Sequence, residues 1–337
     1  MLEEDIINLF YAPSDGPSPE ESRGRPLDGL DDCALLENPV SPESPYLLLT
    51  TDSLSEGTHF RRDWSGPEDL AIKLFQANLS DLIAGGGQPD FCLLNLGLPA
   101  EFASDFPPRF ARALGKELEA HACRLIGGDT FRAADLQLSL TLGGRASRRL
   151  GRGGGRAGDS LYLTGAVGLA LAGYRALQGE LTLPETPLTP ADPGIFSGYE
   201  PGELSLKQRA LERHLRPRAR AAWGPLISKR EEVRALMDVS DGLITDARRL
   251  ALASRVCLEI ELDSVPLIPE LSEFLTLEEA LESGEEYELL FLASPGLSFP
   301  FPCANIGRAL PEEPGLVFAR NGTPVDLKRS PYRHFRQ

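Results

Sequence analysis

Hydrophobic residues follow two patterns along this chain, short apolar or alternating runs and longer stretches with helical spacing. The short runs predict strands at 46–51, 91–98, 124–129, 136–143, 160–164, 256–262, 287–293 and 316–319. The longer stretches predict helices at 2–10, 67–86, 101–122, 167–177, 206–215, 218–235 and 243–254. Strands and helices alternate in both halves of the chain, which favours an α/β or α+β architecture.

Three segments interrupt this alternation. Residues 11–29 and 181–204 contain many prolines and little periodicity, so they predict an exposed loop and an exposed insertion. Residues 151–158 are rich in glycine. A chain of 337 residues is long enough for two domains, and the glycine-rich segment predicts the boundary between domains at 1–150 and 151–337.

The chain is strongly acidic, with a formal net charge of −16 at pH 7. This balance argues against a broad surface for nucleic acid or anionic membranes, which would require excess lysine and arginine. The five cysteines are widely spaced without a Cys-x-x-Cys pair, so they predict neither a disulfide framework nor a zinc site. The sequence contains no signal-peptide pattern and no apolar stretch of membrane-spanning length. We therefore expect a cytoplasmic protein without membrane or nucleic-acid partners.

Aspartates occur in five separated segments that are rich in turns or in apolar residues, at 31–36, 50–60, 78–81, 127–130 and 237–242. An aspartate among apolar neighbours is costly to desolvate unless a cation or hydrogen bonds compensate its charge. Several such residues suggest one shared cation site. Hard oxygen ligands of this kind suit magnesium.

Each acidic segment alone also has an ordinary structural explanation. Asp31 and Asp32 fit a turn, Asp81 could accept a backbone hydrogen bond, and Asp241 could cap a helix. Asp52 is the stronger candidate for a metal ligand. Two threonines precede it at the end of a predicted strand, where carbonyls and hydroxyls can complete the shell of a hard cation.

Two of the segments also suggest a site for phosphate. The glycines before Asp129 allow a close approach of the backbone to a bound group and offer amides to a phosphate. Strand alternation places Asp238 and Ser240 on one face, and the helix that follows has an N-terminus suited to an anion. The sequence lacks the Gly-x-x-x-x-Gly-Lys-Ser/Thr loop, the His-Arg-Asp and Asp-Phe-Gly pair of motifs, and the Gly-x-Ser-x-Gly elbow. Phosphoryl transfer by metal clamps alone remains open, because it needs charge neutralisation and alignment more than a covalent residue.

Taken in order, these segments resemble the thiamine-monophosphate kinase family, in the superfamily of aminoimidazole-ribonucleotide synthetase and selenophosphate synthetase. The motifs are Asp-Asp-Cys-Ala-Leu-Leu at 31–36, Thr-Thr-Asp-x-Leu-x-Glu-Gly-x-His-Phe at 50–60, Asn-Leu-Ser-Asp-Leu at 78–82, Leu-Ile-Gly-Gly-Asp-Thr at 125–130, Asp-Val-Ser-Asp-Gly-Leu at 238–243, Ser-Gly-Glu-Glu-Tyr-Glu-Leu at 283–289 and Tyr-x-His-Phe at 332–335. Their order and spacing are more specific than any one of them.

The resemblance implies direct transfer of the γ-phosphate of ATP to thiamine monophosphate, without a phospho-enzyme. The implied ligands of several magnesium ions are Asp32, Thr51, Asp52, Asp81, Asp129, Asp238 and Asp241. The implied ATP contacts are Gly128, Asp129, Arg152 and Ser240, and the implied thiamine phosphate contacts are His59, Glu285 and Tyr332. The implied fold has two domains, like that of the synthetases. An N-terminal mixed sheet with helices binds ATP and magnesium and forms a homodimer, and a C-terminal α/β domain completes the substrate site.

The sequence departs from the family pattern at four positions and leaves two other functions open. Leu30 and Ser283 stand where the family has glycine, Phe131 where it has threonine and Glu286 where it has aspartate, and none of them replaces an implied metal ligand. Another ATP-dependent synthetase of the superfamily would share the aspartates but would not need the Gly-Thr-His-Phe or Tyr-x-His-Phe elements. A non-catalytic acidic protein would bind divalent ions or a partner without turnover.

Overall fold

The computed structural model describes residues 31–37, 44–102, 104–185 and 204–327. Within these residues, two β-sheets with helices packed on them confirm the predicted mixed α/β class. Four of the sequence predictions fall outside the described residues, wholly or for the most part. They are the helix at 2–10, the loop at 11–29, the insertion at 181–204 and the substrate residue Tyr332.

The first sheet is formed by the N-terminal part of the chain. Its five strands are β1 (Ala34–Glu37), β2 (Tyr46–Ser55), β3 (Gln88–Leu98), β4 (Arg124–Arg132) and β5 (Gln137–Ala146). Their order in the sheet is β1-β2-β5-β3-β4. Only β3 and β4 pair in parallel, and β4 is an edge strand that is exposed at every residue.

The second sheet is formed by the C-terminal part. Its seven strands are β6 (Ser160–Leu163), β7 (Val233–Val239), β8 (Cys257–Glu261), β9 (Glu288–Ala293), β10 (Ala304–Leu310), β11 (Gly315–Arg320) and β12 (Thr323–Val325). Their order is β12-β11-β8-β10-β6-β9-β7. Strands β6 and β9 are buried at every residue, as expected for strands covered on both faces.

Seven α-helices accompany these sheets in the described part of the chain. They are α1 (Pro67–Ala84), α2 (Phe106–Ala120), α3 (Leu169–Leu177), α4 (Leu206–Leu215), α5 (Gly224–Ser228), α6 (Leu243–Ser254) and α7 (Leu277–Leu281). Three short 3₁₀ helices lie at Ala100–Phe102, Leu262–Ser264 and Pro269–Glu273. None of these described helices combines the length and the apolar character needed to cross a bilayer.

Helix α1 packs against both sheets and positions much of the site. It begins after Gly66, whose N–H donates to the Asp69 carboxylate at 2.8 Å and so satisfies one amide of the helix start. Thirteen of its eighteen residues are buried, because β2 and β5 cover one side and β7 covers another. The buried residues include Lys73 and Ser80, which must find polar partners inside the protein.

The predicted helix at 218–235 is wrong. Within that range only α5 is α-helical, and β7 begins at Val233. Pro225 lies in the first turn of α5, and proline is tolerated there but not inside a longer helix. The run from Val233 to Val239 is apolar except for Arg234 and Asp238. Periodicity cannot reliably distinguish such a short, mostly apolar run from a buried helix segment. The strand predicted at 124–129 is longer in the structure, where β4 continues through the two glycines to Arg132.

Candidate active site

Three aspartates that are far apart in the sequence come together in the fold. Asp32 precedes β1, Asp81 lies in the last turn of α1, and Asp238 lies near the end of β7. One carboxylate oxygen of each lies within 4.8 Å of the other two. We call these three residues the carboxylate cluster.

Among the described residues, the hydrogen bonds of the cluster leave two buried oxygens without a partner. Thr50 Oγ1 donates to Asp81 Oδ2 at 2.7 Å, and Ser80 Oγ donates to Asp238 Oδ2 at 2.5 Å. Asp32 Oδ2 and Asp238 Oδ1 accept no hydrogen bond from the described residues. Because an unpaired buried carboxylate oxygen is costly, these atoms fit the ligands of a cation. Carboxylate oxygens at this spacing form a donor set suited to Mg²⁺.

The acids in this region resist ionisation when no cation is bound. Burial raises the pKa of Asp81 and of Asp238 well above the usual range, and neighbouring aspartates raise both further. Burial, followed by the charges of Asp32 and Asp241, raises the pKa of Asp52 to about 6. A bound cation would reverse this balance, because it favours the charged form of every carboxylate around it.

Strand β2 presents successive residues to opposite faces of the first sheet. Thr50 therefore supplies a hydroxyl to the cluster, and the backbone N–H of Asp52 donates to Asn78 Oδ1 at 3.0 Å on α1. Thr51 is exposed, and its Oγ1 donates to the Leu140 carbonyl oxygen at 3.2 Å. The fold does not bring the Thr51 hydroxyl to the cluster, and the hydroxyl beside the aspartates belongs to Thr50.

The turn that carries Ser240 and Asp241 is fixed by α6. Asp246 Oδ2 accepts hydrogen bonds from the backbone N–H of Ser240 at 3.0 Å and from that of Asp241 at 2.9 Å. Arg249 pairs with Asp241 and, at 2.9 Å, with Asp246 Oδ1. Burial, followed by the charge of Asp241, raises the pKa of Asp246 to about 7. These two amides therefore serve the turn itself and not a bound anion.

Arg152 lies partly buried beside the cluster. Its guanidinium pairs with Asp32, and its backbone N–H donates to Asp31 Oδ1 at 2.7 Å. A β-carbon at Gly151 would lie 2.5 Å from Asp31 Oδ2, so a larger residue here would displace the Asp31 carboxylate. In this arrangement Arg152 compensates one charge of the cluster.

Gly128 and Asp129 are not brought to the cluster. Both are exposed on β4, which β5 and β3 separate from β2. Three strand spacings amount to about 14 Å. The strand pairings place Asp129 in the same cross-strand row as Ser53 of β2. Ser53 and Asp52 are neighbours on that strand and point to opposite faces, so Asp129 lies on the face of the sheet opposite to Asp52. Within one chain, Asp129 is therefore remote from the other predicted metal ligands.

A cavity of about 770 Å³ opens beside the cluster, a volume typical of sites for small molecules. Its walls include Asp52, Asp81 and Asp241. They also include Trp64 and Tyr174, whose rings meet edge to face with their centroids 6.2 Å apart. The cavity therefore joins an acidic region to an aromatic one.

Two residues that the resemblance assigns to the substrate, His59 and Glu285, both line this cavity. His59 Nδ1 accepts a hydrogen bond from the Ser55 N–H at 3.1 Å, which orients the imidazole. Glu285 pairs with Lys73 at 2.7 Å and with His214 Nδ1 at 3.2 Å. Burial alone would raise the pKa of Glu285, but Lys73 and then His214 lower it to about 2. Glu285 is thus ionised at neutral pH.

Sequence reasoning missed four residues that build this region, Lys73, Ser80, His214 and Asp246. Lys73 and Asp81 offered a signal, because positions eight apart share one face of a helix and both are charged in an apolar stretch. Asp246 offered another, because an acid in the first turn after Asp-Gly often binds the preceding amides. Ser80 lies inside the motif at 78–82, but nothing in that motif marks its hydroxyl as a partner of Asp238, and nothing local distinguishes His214.

Known proteins match this chain over most of its length. Residues 30–146 match AIR synthase related protein, N-terminal domain, and residues 156–298 match AIR synthase related protein, C-terminal domain. Thiamine-monophosphate kinase of Leptospira interrogans is 35% identical over 99% of this chain and 98% of its own length. Thiamine-monophosphate kinase of Aquifex aeolicus is 37% identical over 88% of this chain and 90% of its own.

Solved structures extend the match to three dimensions. The structure described as AaThiL complexed with AMPPCP and TMP is 32% identical, with a TM-score of 0.79 over 99% of this chain and 97% of that chain. Hydrogenase maturation protein HypE in complex with ATP has a TM-score of 0.66 at 16% identity, covers 92% of this chain and 91% of its own, and shares the fold.

The two sheets and the matches to both domains define a protein of the AIR synthase related class. Within that class, the chain belongs to the thiamine-monophosphate kinase family, since its relatives there are 35% and 37% identical over nearly their full lengths. The resemblance of the motifs to this family is confirmed.

Proposed function

We propose that this protein transfers the γ-phosphate of ATP directly to thiamine monophosphate and forms thiamine diphosphate. The observation that carries the proposal is the carboxylate cluster beside a cavity of small-molecule size, with two buried oxygens that have no hydrogen-bond partner in the described part of the chain. Membership of the kinase family supports the same reaction, as does the related structure complexed with AMPPCP, an ATP analogue, and TMP.

The carboxylates suit magnesium, and we assign several ions to them. Asp32, Asp81 and Asp238 would hold one ion, and Asp52 and Asp241 on the cavity wall would hold others. Magnesium supplies charge neutralisation and alignment of the phosphates when bound. The protein needs no covalent residue for this reaction, because direct transfer depends on position and charge.

We assign the remaining residues by their place around the cavity. Ser240 lines it beside Asp241 and is available to ATP, whereas His59 and Glu285 are available to thiamine monophosphate. Arg152 offsets the charge of Asp32, so its expected contact with ATP would be secondary to that pairing. Tyr332 stays a prediction of the sequence.

We further propose that the protein acts as a homodimer in which each chain supplies Gly128 and Asp129 to the site of the other. Edge strand β4 is fully exposed, and its exposed side chains Leu125, Ile126 and Phe131, with Leu93 on the neighbouring β3, make this edge of the sheet an apolar patch. Unpaired edge strands and apolar patches of this kind are typical of interfaces. A second chain could therefore carry Asp129 to a cluster that it does not reach within its own chain.

We place this reaction in the cytoplasm. All five cysteines are unpaired, and four of them are buried, which agrees with a reducing compartment. ATP as the phosphate donor agrees with the same location.

One assay tests the proposed reaction directly. The protein should convert ATP and thiamine monophosphate to ADP and thiamine diphosphate when magnesium is present, as measured by chromatography of the thiamine compounds. A chelator should abolish the conversion, and excess magnesium should restore it. Absence of thiamine diphosphate at millimolar concentrations of both substrates would refute the proposed function.

Ligands that bind the site should also stabilise the fold. Magnesium together with AMPPCP is expected to raise the melting temperature, because both bind the native state and relieve the repulsion among its carboxylates. Magnesium alone should raise it less. Differential scanning fluorimetry with magnesium alone, and with magnesium plus AMPPCP, would measure both shifts. An unchanged melting temperature with magnesium and AMPPCP at millimolar concentrations would contradict a nucleotide site.

A further inference from the structure

Lys73 is a buried lysine in α1 that belongs to none of the sequence motifs. Its side chain is 3% exposed, and its Nζ lies 2.7 Å from Glu285 Oε1 and 2.8 Å from Glu285 Oε2. The same nitrogen donates to the His59 carbonyl oxygen at 3.4 Å. A buried ammonium is costly unless it is paired and hydrogen-bonded, and these contacts supply both. They connect α1 with two segments that line the cavity.

Glu285 is fixed by its backbone as well as by its side chain. Its φ of 58° lies in the left-handed region, which is uncommon for a residue with a β-carbon, and its N–H donates to the Ser240 carbonyl oxygen at 2.7 Å. Such strain persists where surrounding contacts determine the conformation, and it is frequent at binding sites. Glu285 is 29% exposed and lines the cavity, whereas Lys73 is almost fully buried. A ligand would therefore touch Glu285, and Lys73 would act through it.

The pairing also defines what Glu285 can bind. Beside the Lys73 ammonium the carboxylate is ionised, so it accepts hydrogen bonds and donates none. Lys73 occupies one acceptor position on each oxygen, and His214 occupies a second on Oε2. Oε1 retains an acceptor position for a ligand, and an ionised acceptor forms stronger hydrogen bonds than a neutral one. The matching group on a ligand is a hydrogen-bond donor, either N–H or O–H.

We propose that Lys73 is a positioning residue that holds Glu285 to accept a hydrogen bond from the amino group on the pyrimidine ring of thiamine monophosphate. This inference rests on the proposed function. The amino group is the N–H donor of that substrate, so an oxygen that can only accept selects for it. An analogue with a carbonyl oxygen in place of the amino group would set two acceptors against each other, which hydrogen-bonding sites reject strongly.

Replacement of Lys73 by methionine tests this role, because methionine nearly preserves the length of the side chain and removes its charge. Lys73→Met should raise KM for thiamine monophosphate about tenfold to a hundredfold and leave KM for ATP within about threefold. The wild type should prefer thiamine monophosphate to the carbonyl analogue by about a hundredfold or more in kcat/KM, and Lys73→Met should lose most of that preference. Lys116→Met on the exposed surface of α2 is the matched control and should behave as the wild type.

A second background separates positioning from a general structural effect. In Glu285→Gln, the further change Lys73→Met should alter KM for thiamine monophosphate by less than about threefold, because the carboxylate to be positioned is gone. Lys73→Met alone leaves the Glu285 carboxylate without its cation and could unfold the protein. The double variant removes both charges of the pair, so it can still be measured in that case. An unchanged KM in Lys73→Met, or equal effects in both backgrounds, overturns the role of Lys73. Turnover by the wild type in the same series tests the proposed function independently.

Discussion

Asp52→Asn and Asp81→Asn are each expected to lower kcat for thiamine diphosphate formation by about a hundredfold or more. Each change replaces a charged oxygen ligand with a neutral one at the place where phosphate charge must be neutralised. The loss of one such group from a preorganised site costs on the order of 3 kcal/mol in the transition state. Turnover should be measured at saturating ATP over a wide range of magnesium concentrations. Near-normal turnover of both variants at low magnesium would remove these carboxylates from the mechanism.

An exposed aspartate and the stability of the metal-free protein provide the controls. Asp135→Asn changes the same chemical group in an exposed turn and should leave kcat unchanged. Burial and neighbouring aspartates raise the pKa of Asp81 above its unfolded value, so its ionisation costs stability as pH rises above that value. Asp81→Asn removes this cost. With a chelator present at pH 8, the variant should therefore melt at a higher temperature than the wild type, which shows that its lost activity does not reflect unfolding.

The sequence identified candidate site residues where a short segment alone carries the chemical signal. Asp52, Asp81 and Asp238 each stood out because an acid among apolar residues requires local compensation, and all three lie in the region where the cavity meets the cluster. Their common location still depended on three elements that pack against one another across the chain. Composition and motif order could suggest a shared site but could not supply its distances.

The sequence was less informative where a result depends on register or on contacts between distant residues. Thr50 and Thr51 are adjacent and chemically identical, and only the register of β2 on α1 determines which hydroxyl faces Asp81. Lys73 and Glu285 are separated by 212 positions, so no local pattern announces their ion pair. The strand at 233–239 was ambiguous for another reason, since a short and mostly apolar run fits a buried strand and a buried helix equally well.

The largest gain of activity is expected from mixing two inactive variants. If each chain supplies Asp129 to the site of its partner, Asp81→Asn and Asp129→Asn should each be impaired alone by about a hundredfold. After equal mixing and exchange of chains, about half of the dimers contain one chain of each kind. One site in such a dimer combines the intact Asp81 of one chain with the intact Asp129 of the other. The mixture should therefore recover about a quarter of the wild-type activity per chain.

A mixture of Asp52→Asn with Asp81→Asn provides the matched control, because both residues line the same cavity of one chain. Every site in that mixture retains one defect, so activity should stay at the level of the separate variants. Different affinity tags on the two chains allow purification of the mixed dimers before the assay. If purified dimers of Asp81→Asn with Asp129→Asn stay inactive, Asp129 does not act across the dimer. If Asp129→Asn alone keeps full activity, Asp129 is not a ligand, and the apolar patch around β4 would then serve assembly without contributing to the site.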